Sequence, residues 1–449
     1  MNAENRSIYI VGIKGQGMTA LALVLQGRGW NVEGSDVADE FSTDVVLQSH
    51  HIPVHAFTDP LPRTVACVAY STAYHPDTHP QLQEARRREL LTMSYPEAIG
   101  QLFDNVEGIA VAGTHGKTTT TAMIGVVLAS AGKDPTVIVG SPVQDFHGNA
   151  RVGSSTLLVV EADEYQNKFQ YYHPQHLVIT SIEYDHPDYF PTVQSYQQVF
   201  AAFAQRIPGT IVLRADDPVC AALAKILQRP VITFGRGQGA SVHLLGCIWR
   251  QDHQHIRYSL HGREFDFSLL LPGEHNAMNA LAAIAMTTQL GVEPSAAHKA
   301  LADFAGVTRR FEVRGEYHGA IIIDDFAHHP TEVRAAIAAA RQKYAGKRLI
   351  VVFQPHTYSR TKVMLKLFAD ALKADAVIVP EIASSARETL KTISSKDLVK
   401  KMPKNVPARY TATLEEAANL LRPMLTDHDI VLLLGAGEVW KIADMLQQG

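Results

Sequence analysis

The segment with the clearest chemical potential is Gly113-Thr-His-Gly-Lys-Thr-Thr119. It follows the apolar run 108–113, which predicts a strand, and precedes a helical pattern at 121–130. Glycines in such a turn let backbone N–H groups face phosphate oxygens, and a helix N-terminus adds a favourable field. Lys117 can then reach the β- and γ-phosphates of a nucleotide, while the Thr118 hydroxyl can bind magnesium. The segment therefore predicts a phosphate-binding loop, with glycines spaced more tightly than in G-x-x-x-x-G-K-[ST].

Acidic groups follow two further apolar runs. Glu161-Ala-Asp-Glu164 ends the run 157–161, and Glu183-Tyr-Asp-His186 ends the run 177–182. Ligands in open α/β sheets bind at the carboxyl ends of strands, and magnesium takes oxygen ligands that include one or two carboxylates. Surface acids and single histidines are often structural, but a nearby phosphate loop favours a metal site here.

A second glycine turn, Gly12-Ile-Lys-Gly-Gln-Gly17, lies near the start of the chain, and Gly34-Ser-Asp36 follows about twenty residues later. This layout is typical of a dinucleotide fold, in which the turn faces a pyrophosphate and the acid reaches a ribose or base. The pattern alone does not separate NAD from a UDP-sugar.

Two polar turns follow apolar runs near the C-terminus. They are Asp324-Asp-Phe-Ala-His-His-Pro330 and Gln354-Pro-His-Thr-Tyr-Ser-Arg360. Histidine and arginine at strand ends can hold a carboxylate or a phosphoryl group in transfer. One such turn is structural about as often as functional; two together favour function.

The elements that position these residues form three α/β blocks. The strongest strand patterns are at 8–12, 31–36, 108–113, 157–161, 177–180, 209–213, 321–324, 349–353, 376–380 and 430–434, and helical patterns at 18–28, 121–130, 332–344 and 414–425 separate several of them. Residues 241–271 alternate apolar and polar side chains, which predicts an antiparallel flap or sheet edge. Strand, glycine turn, helix and strand in this order build parallel sheets.

Length and composition restrict the possible classes of protein. A chain of 449 residues exceeds one hydrophobic core, so two or three domains are expected. The chain has 46% hydrophobic and 19% charged residues and a net charge of −4, which argues against nucleic acid and anionic membranes as main partners. Three widely separated cysteines argue against disulfides and a zinc site, and we expect a cytoplasmic protein without a signal peptide or membrane span.

Taken together, these motifs resemble the Mur ligase family, from Val11 to Gly437. The resemblance rests on the phosphate loop, on Glu161 and His186, on Gly273-Glu-His-Asn-Ala-Met-Asn279, on Arg309-Arg-Phe-Glu312 and on Asp325-Phe-Ala-His-His-Pro330. It implies three domains. They are a Rossmann-like UDP-sugar-binding domain at 1–105, a P-loop ATP-binding domain with a parallel sheet at 106–308, and a Rossmann-like α/β domain at 309–449 that contacts ATP and the amino acid.

The resemblance also implies a function and a set of site residues. The chain would be an ATP-dependent, Mg²⁺-dependent ligase, monomeric or homodimeric, that joins L-alanine to UDP-N-acetylmuramate through an acyl phosphate in peptidoglycan precursor synthesis. The implied catalytic residues are Lys117, Glu161, His186, His328 and Arg360, with Thr118, Glu161 and His186 as metal ligands. The implied ATP contacts are Gly113, Thr114, His115, Gly116, Lys117, Thr118, Thr119, Asn276, Asn279, Arg310 and Asp325. The implied UDP-sugar contacts are Gly12, Gly15, Gly17, Met18, Ser35, Asp36, Ser71 and Thr72.

Four positions and one segment depart from the pattern of the family members that use L-alanine; the segment, 382–396, lacks the Gly-Pro-rich loop often seen there. Lys14 stands where glycine is usual, Gln166 and Asn167 where an aspartate is common, and Thr357 where many members carry arginine. Arg360 is then the better candidate for the amino-acid carboxylate. Three alternatives stay open: a family member that adds a ready-made tripeptide, an NAD-dependent oxidoreductase built on the first glycine turn, and a non-catalytic nucleotide sensor.

Overall fold

The computed structural model describes residues 6–41, 43–384, 388 and 391–448, and contains three separate sheets with helices packed against them. The mixed α/β class predicted from the sequence is confirmed. The predicted domain boundaries, at 105 and 308, stay predictions. Among the described residues, no helix has both the length and the apolar character needed to cross a membrane.

The first sheet is fully parallel, in the order β3-β2-β1-β4-β5. Its strands are β1 (Ser7–Val11), β2 (Asn31–Asp36), β3 (Val54–Ala56), β4 (Cys67–Tyr70) and β5 (Leu91–Ser94). The helices are α1 (Gln16–Gly27), α2 (Asp44–Ser49), α3 (Pro80–Arg87) and α4 (Tyr95–Leu102). Because β1 is central, its carboxyl end and the glycine turn after it lie in the middle of the sheet edge.

The second sheet has ten strands in the order β15-β14-β13-β12-β11-β10-β6-β9-β7-β8. They are β6 (Glu107–Ala112), β7 (Thr136–Val143), β8 (Gly148–Arg151), β9 (Leu157–Glu161), β10 (His176–Ile179), β11 (Ile211–Arg214), β12 (Ile232–Gly235), β13 (Val242–Arg250), β14 (His253–Leu260) and β15 (Arg263–Leu269). The helices are α5 (Lys117–Ser130), α6 (Val193–Gln205), α7 (Pro218–Ile226), α8 (Glu274–Gln289) and α9 (Pro294–Ala302), with 3-10 turns at Gln144–Phe146 and Tyr165–Tyr171.

This second sheet is parallel in its centre and antiparallel at both edges. β13, β14 and β15 pair antiparallel at one end of the sheet, which confirms the predicted antiparallel sheet edge, and β8 pairs antiparallel with β7. β6 lies between β10 and β9, so the phosphate loop is flanked by the two strand ends that carry the acidic segments.

The third sheet has the order β16-β17-β21-β18-β19-β20, and only β16 runs antiparallel to its neighbour. Its strands are β16 (Glu312–Tyr317), β17 (Ala320–Asp325), β18 (Arg348–Phe353), β19 (Ala376–Pro380), β20 (Ala408–Thr411) and β21 (Asp429–Leu434). The helices are α10 (Pro330–Lys343), α11 (Tyr358–Val363), α12 (Leu365–Ala371), α13 (Ser395–Lys401), α14 (Leu414–Leu421) and α15 (Lys441–Gln447), with a 3-10 turn at Arg422–Met424.

Two helices differ from their predicted extents by four residues at one end, and the other two by one or two residues at each end. The helix after the phosphate loop begins at Lys117, four residues before the predicted start, because Gly116 adopts a left-handed conformation and ends the loop. α14 ends at Leu421, whereas the pattern extended to 425. Pro423 follows in a 3-10 turn, and proline lacks the N–H that would continue the helix.

The first two sheets share a hydrophobic core. One apolar cluster contains Ile10 and Leu21 of the first block together with Ala110 and Leu158 of the second. α1 packs so closely on the second block that a Cβ at Gly27 would lie 2.6 Å from a Val152 methyl. The third sheet instead has its own apolar cluster on each face. The third block is therefore held to the others mainly by polar contacts, which converge at the candidate site.

Candidate active site

The phosphate loop joins the buried strand β6 to α5, and two glycines determine its path. Gly113 has φ +130° and Gly116 has φ +79°, both in the region that favours glycine. A Cβ at Gly113 would lie 2.2 Å from the Thr180 hydroxyl, so a side chain is excluded there. Lys117 Nζ donates to Gly113 O (2.5 Å) and to Glu164 Oε2 (3.0 Å). Burial opposes the charge, but Glu164 and its acidic neighbours outweigh burial and raise the pKa of Lys117, so the ammonium stays charged.

Thr118 and Glu161 form the predicted pair of oxygen donors. The Thr118 hydroxyl donates to Glu161 Oε1 at 2.9 Å, and the other carboxylate oxygen accepts from the Gly140 N–H at 2.6 Å. Glu161 is the last residue of β9, so the parallel register of β9 and β6 places it beside the loop. A hydroxyl and a carboxylate at a phosphate loop suit a hard cation such as magnesium.

The predicted third ligand, His186, lies in the same cleft but contacts other acids. Its Nε2 is 3.8 Å from Glu164 Oε1 and 3.8 Å from Asp185 Oδ2. Asp163, Glu164 and His186 bring one ligand atom each within 4.8 Å of one another. The backbone of His186 is left-handed (φ 56°), a conformation that is uncommon for residues other than glycine.

His115 links the phosphate loop to the third block. Its Nε2 contacts Glu183 Oε2 at 2.9 Å, and its Nδ1 contacts Glu332 Oε1 at 3.0 Å. Burial alone would lower the pKa of His115, but the hydrogen bonds and charges of the two carboxylates outweigh it and raise the pKa to about 9. The imidazole is therefore a cation between two anions, and it joins α10 to the loop.

A pocket beside the loop collects the predicted nucleotide contacts that lie farther along the chain. Asn276 and Asn279, on the first turns of α8, form one wall, and Arg310 and Asp325 form the opposite one. Burial raises the pKa of Asp325 to about 6, although Arg310 opposes this. The lining also includes Gly116, Thr119, Phe234, His275 and Thr331. Thr114 has another role, since its hydroxyl contacts Glu183 O and the Tyr196 hydroxyl, both at 2.8 Å.

His328 and Arg360 bring the third sheet to the acidic strand ends. Burial lowers the pKa of His328 to about 3, so its ring is neutral, and its Nδ1 bonds to Phe326 O at 2.9 Å. Arg360 Nε and Nη2 donate to the two carboxylate oxygens of Asp185, at 2.8 and 3.1 Å. Both side chains of this pair are about 95% buried. The fork predicted to bind an amino-acid carboxylate thus holds a carboxylate of the second block.

The first glycine turn has the predicted geometry at the end of β1. Gly12 has φ +81°, and a Cβ there would lie 2.7 Å from Tyr74 Cε2 and 2.9 Å from Ser71 Cβ. Asp36 accepts from the N–H groups of Lys14 (2.7 Å) and Val37 (2.8 Å). The other predicted members lie in or beside this turn, at the ends of β2 and β4 and the start of α1: Gly15, Gly17, Met18, Ser35 and Thr72.

The four departing residues are all described by the structure, whereas part of the segment 382–396 lies outside the described residues. Lys14 leaves the turn intact, because its ammonium contacts Asp39 O (2.9 Å) and Asp44 Oδ1 (3.1 Å), on the segment that leads into α2. Gln166 is left-handed (φ 57°), and so is Asn167 (φ 52°). Thr357 is also left-handed (φ 66°) and precedes α11.

One cleft joins residues of all three blocks. It contains the predicted residues Thr114, Gly116, Lys117, Thr118, Glu161, His186, Arg310 and His328. Arg360 reaches this cleft through Asp185, which lines it. Tyr95 connects the first glycine turn to the cleft, because it lines the cleft and would lie 2.8 Å from a Cβ at Gly17.

Several residues of this cleft were not among the site residues predicted from the sequence. Glu164 and Asp185 were part of motifs that the sequence singled out, and their pairing with Lys117 and Arg360 is a tertiary feature. Glu332 carried only a capping signal, three residues after His329 at the start of α10. Lys168 carried no signal.

Comparison with protein families gives three matches along the chain. The model described as Mur ligase family, catalytic domain, matches residues 7–106, the Mur ligase middle domain matches 111–287, and the Mur ligase, glutamate ligase domain, matches 309–437. The three matches cover most of the 449 residues and include all three sheets.

Individual relatives align over almost their full length. UDP-N-acetylmuramate–L-alanine ligase of Desulfitobacterium hafniense is 42% identical over 446 residues, covering 98% of this chain and 99% of the relative. The ligase of that name from Salinibacter ruber is 36% identical over 448 residues, covering 98% and 94%.

Solved structures show the same arrangement. UDP-N-acetylmuramate–alanine ligase of Thermotoga maritima superposes with a TM-score of 0.82 at 27% identity, covering 98% of both chains. A murein peptide ligase of Psychrobacter arcticus superposes with a TM-score of 0.73 at 23% identity, also covering 98% of both, and at that identity the likeness concerns the fold.

Proposed function

The chain belongs to the Mur ligase family, and from this premise we propose that it is an ATP-dependent ligase joining L-alanine to the lactyl carboxylate of UDP-N-acetylmuramate. The reaction belongs to peptidoglycan precursor synthesis. The observation that carries the proposal is the single cleft in which the phosphate loop, the acidic end of β9 and the third-sheet residues Arg310 and His328 meet. Full-length relatives of that name, up to 42% identical, support the choice of substrates.

The first chemical step is phosphoryl transfer. A lactyl carboxylate oxygen attacks the γ-phosphorus of ATP, the bond from phosphorus to the ADP oxygen breaks, and an acyl phosphate forms. Catalysis of such a transfer depends on positioning and on neutralising charge. Lys117, held at the loop by Gly113 O, and Arg310, whose Nη2 is 3.4 Å from the Thr118 hydroxyl, supply positive charge on two sides of the loop.

The second step forms the amide. The alanine amine attacks the acyl carbon, a tetrahedral intermediate collapses, and inorganic phosphate leaves with the oxygen that came from the lactyl group. We assign His328 and Arg360 to the amino-acid side, because they approach the acidic strand ends from the third sheet. Alanine binding would then require Arg360 to share or exchange its Asp185 contact. A cleft closed by the third block also protects the acyl phosphate from water.

Magnesium fits the donor groups at the loop. We assign Thr118, Glu161 and His186 to the metal, since the first two already place a hydroxyl and a carboxylate oxygen 2.9 Å apart and His186 lines the same cleft. When bound, magnesium neutralises charge on the β- and γ-phosphates.

The two nucleotide sites follow from the two glycine turns. ATP would place its phosphates on the loop from Gly113 to Thr119 and its base against Asn276 and Asn279. UDP-N-acetylmuramate would bind at the turn from Gly12 to Met18, near Ser35, Asp36, Ser71 and Thr72. Tyr95 then lies on the path from the sugar nucleotide to the γ-phosphate.

The test is phosphate release from ATP with magnesium and UDP-N-acetylmuramate, with L-alanine, with the tripeptide or without an amine. The proposal predicts release that requires both the sugar nucleotide and alanine, together with a product mass that contains the new amide. Release with the tripeptide alone would make the protein a recycling ligase. ATP-independent reduction of a nicotinamide would identify an oxidoreductase, and ATP binding without turnover would identify a sensor.

A further inference from the structure

Lys168 is a second lysine in the cleft, and the mechanism described above does not use it. Its side chain is only 14% exposed, and its ammonium forms an ion pair with the Asp163 carboxylate. Lys117, Glu161 and His186 line the same cleft. A mostly buried ammonium beside the reacting groups is a candidate for binding an anionic substrate group.

The backbone before Lys168 has an unusual conformation. Gln166 and Asn167, two successive residues with side chains, are left-handed inside the turn Tyr165–Tyr171. Such conformations are unfavourable for residues with a Cβ and persist where the surrounding structure holds them, often at binding sites. Here the kink returns the chain, so that Lys168 reaches the carboxylate of a residue five positions earlier.

The ion pair lines the same cleft as one residue beside each nucleotide site. Tyr95 packs on Gly17 of the first glycine turn. Lys117 belongs to the phosphate loop. The charge of Asp163 acts on both residues. Burial is the main cause of the raised pKa of Tyr95, and Asp163 adds to it. Burial lowers the pKa of Lys117, and Asp163 opposes this effect. A substrate that extends from the glycine turn to the γ-phosphate therefore passes this pair.

The reaction brings two anions together at that point, the lactyl carboxylate and the γ-phosphoryl group. Lys117 is already held by Gly113 O and Glu164 at the loop. We propose that Lys168 binds the lactyl carboxylate of UDP-N-acetylmuramate, its ammonium passing from Asp163 to the substrate. Asp163 holds this ammonium in place before the substrate arrives. Lys168 is then a specificity residue, because it recognises the group that distinguishes this sugar nucleotide from UDP-N-acetylglucosamine.

This inference rests on the proposed function, and nucleotide-sugar binding measured by calorimetry tests it. Lys168→Gln should weaken UDP-N-acetylmuramate binding by about 10- to 100-fold, the value of a charge-assisted hydrogen bond. Binding of UDP-N-acetylglucosamine, which has no lactyl carboxylate, should change less than about two-fold. Lys168→Arg should restore part of the affinity. Lys225→Gln, on an exposed position of α7, is the matched control and should leave both affinities unchanged.

Three results would overturn the assignment. Unchanged UDP-N-acetylmuramate binding would show that Lys168 does not contact the carboxylate, and equal weakening of both nucleotides would show a structural role. A wild-type protein that binds neither nucleotide would refute the proposed function itself. Since the single variant leaves Asp163 unpaired, the double variant Asp163→Asn with Lys168→Gln guards against misfolding. It should show the same selective loss.

Discussion

The charged His115 network should make the stability of the protein depend on alkaline pH. The folded pKa of His115, about 9, lies about 2.5 pH units above the ordinary value of 6.5. For a group with a raised folded pKa, the stabilisation is complete below the unfolded pKa and is lost as the pH rises through the folded one. The full difference corresponds to roughly 3 kcal/mol of unfolding free energy.

His115→Gln isolates this contribution. The free energy of unfolding, measured with urea, should fall for the wild type between about pH 6 and about pH 9.5. This fall should exceed that of the variant by up to roughly 3 kcal/mol. His298→Gln is the matched control. Burial lowers the pKa of His298, so this ring adds no stabilisation that is lost as the pH rises through about 9. Other titrating groups cancel in the comparison.

An NMR titration of the His115 ring measures its pKa directly. The ring signal of His115, identified by its loss in His115→Gln, should titrate near pH 9 in NMR spectra. In Glu332→Gln it should titrate at lower pH, because one of the two carboxylate partners is gone. A wild-type midpoint near 6.5, or identical pH dependence of stability in wild type and His115→Gln, would refute the reasoning.

Three further predictions concern the loop and the third sheet. Gly116→Ala should raise the KM for ATP at least about ten-fold, because the φ of +79° disfavours alanine and the new Cβ would lie 2.4 Å from Asn279 Oδ1. A raised KM in steady-state kinetics, with unchanged UDP-sugar binding, would support this prediction. A normal KM would contradict it. Arg360→Ala should cost about 3–5 kcal/mol in urea unfolding, since it leaves the buried Asp185 without its cation. Arg348→Ala should cost clearly less, because Arg348 itself is half-exposed and its partner Asp429 keeps two hydrogen bonds from Thr426; equal losses would argue against the buried pair. Lys117→Met should lower kcat by about 100- to 1000-fold through loss of charge at the γ-phosphate, measured as phosphate release, and a variant with wild-type turnover would exclude this role.

The fold was predictable from the sequence because its signals are local. The runs that became β9 and β19 have the predicted bounds, and the predicted antiparallel flap or sheet edge is the set β13–β15. Both glycine turns were identifiable for the same reason, since each follows a buried strand directly and precedes a helix. Local signals were weaker at helix ends, as the turn at Pro423 shows.

The contacts that complete the site were not predictable in this way. Asp185 and Arg360 are 175 positions apart in the chain, and their ion pair depends on how the third block meets the second. Lys168 reaches the cleft through two left-handed residues, neither of which is a glycine that would signal the kink. Long-range charge pairing and unusual backbone conformations are tertiary properties, which residue spacing does not encode.

The central claim is that ATP activates the lactyl carboxylate as an acyl phosphate in the cleft shared by Lys117, Glu161 and His328. The most direct measurement follows the carboxylate oxygen, using UDP-N-acetylmuramate with ¹⁸O in the lactyl carboxylate. With ATP, magnesium and L-alanine, each amide formed should release one inorganic phosphate carrying one ¹⁸O, because the attacking oxygen leaves with phosphorus. Unlabelled phosphate, or an amide formed without phosphate release, would contradict the account.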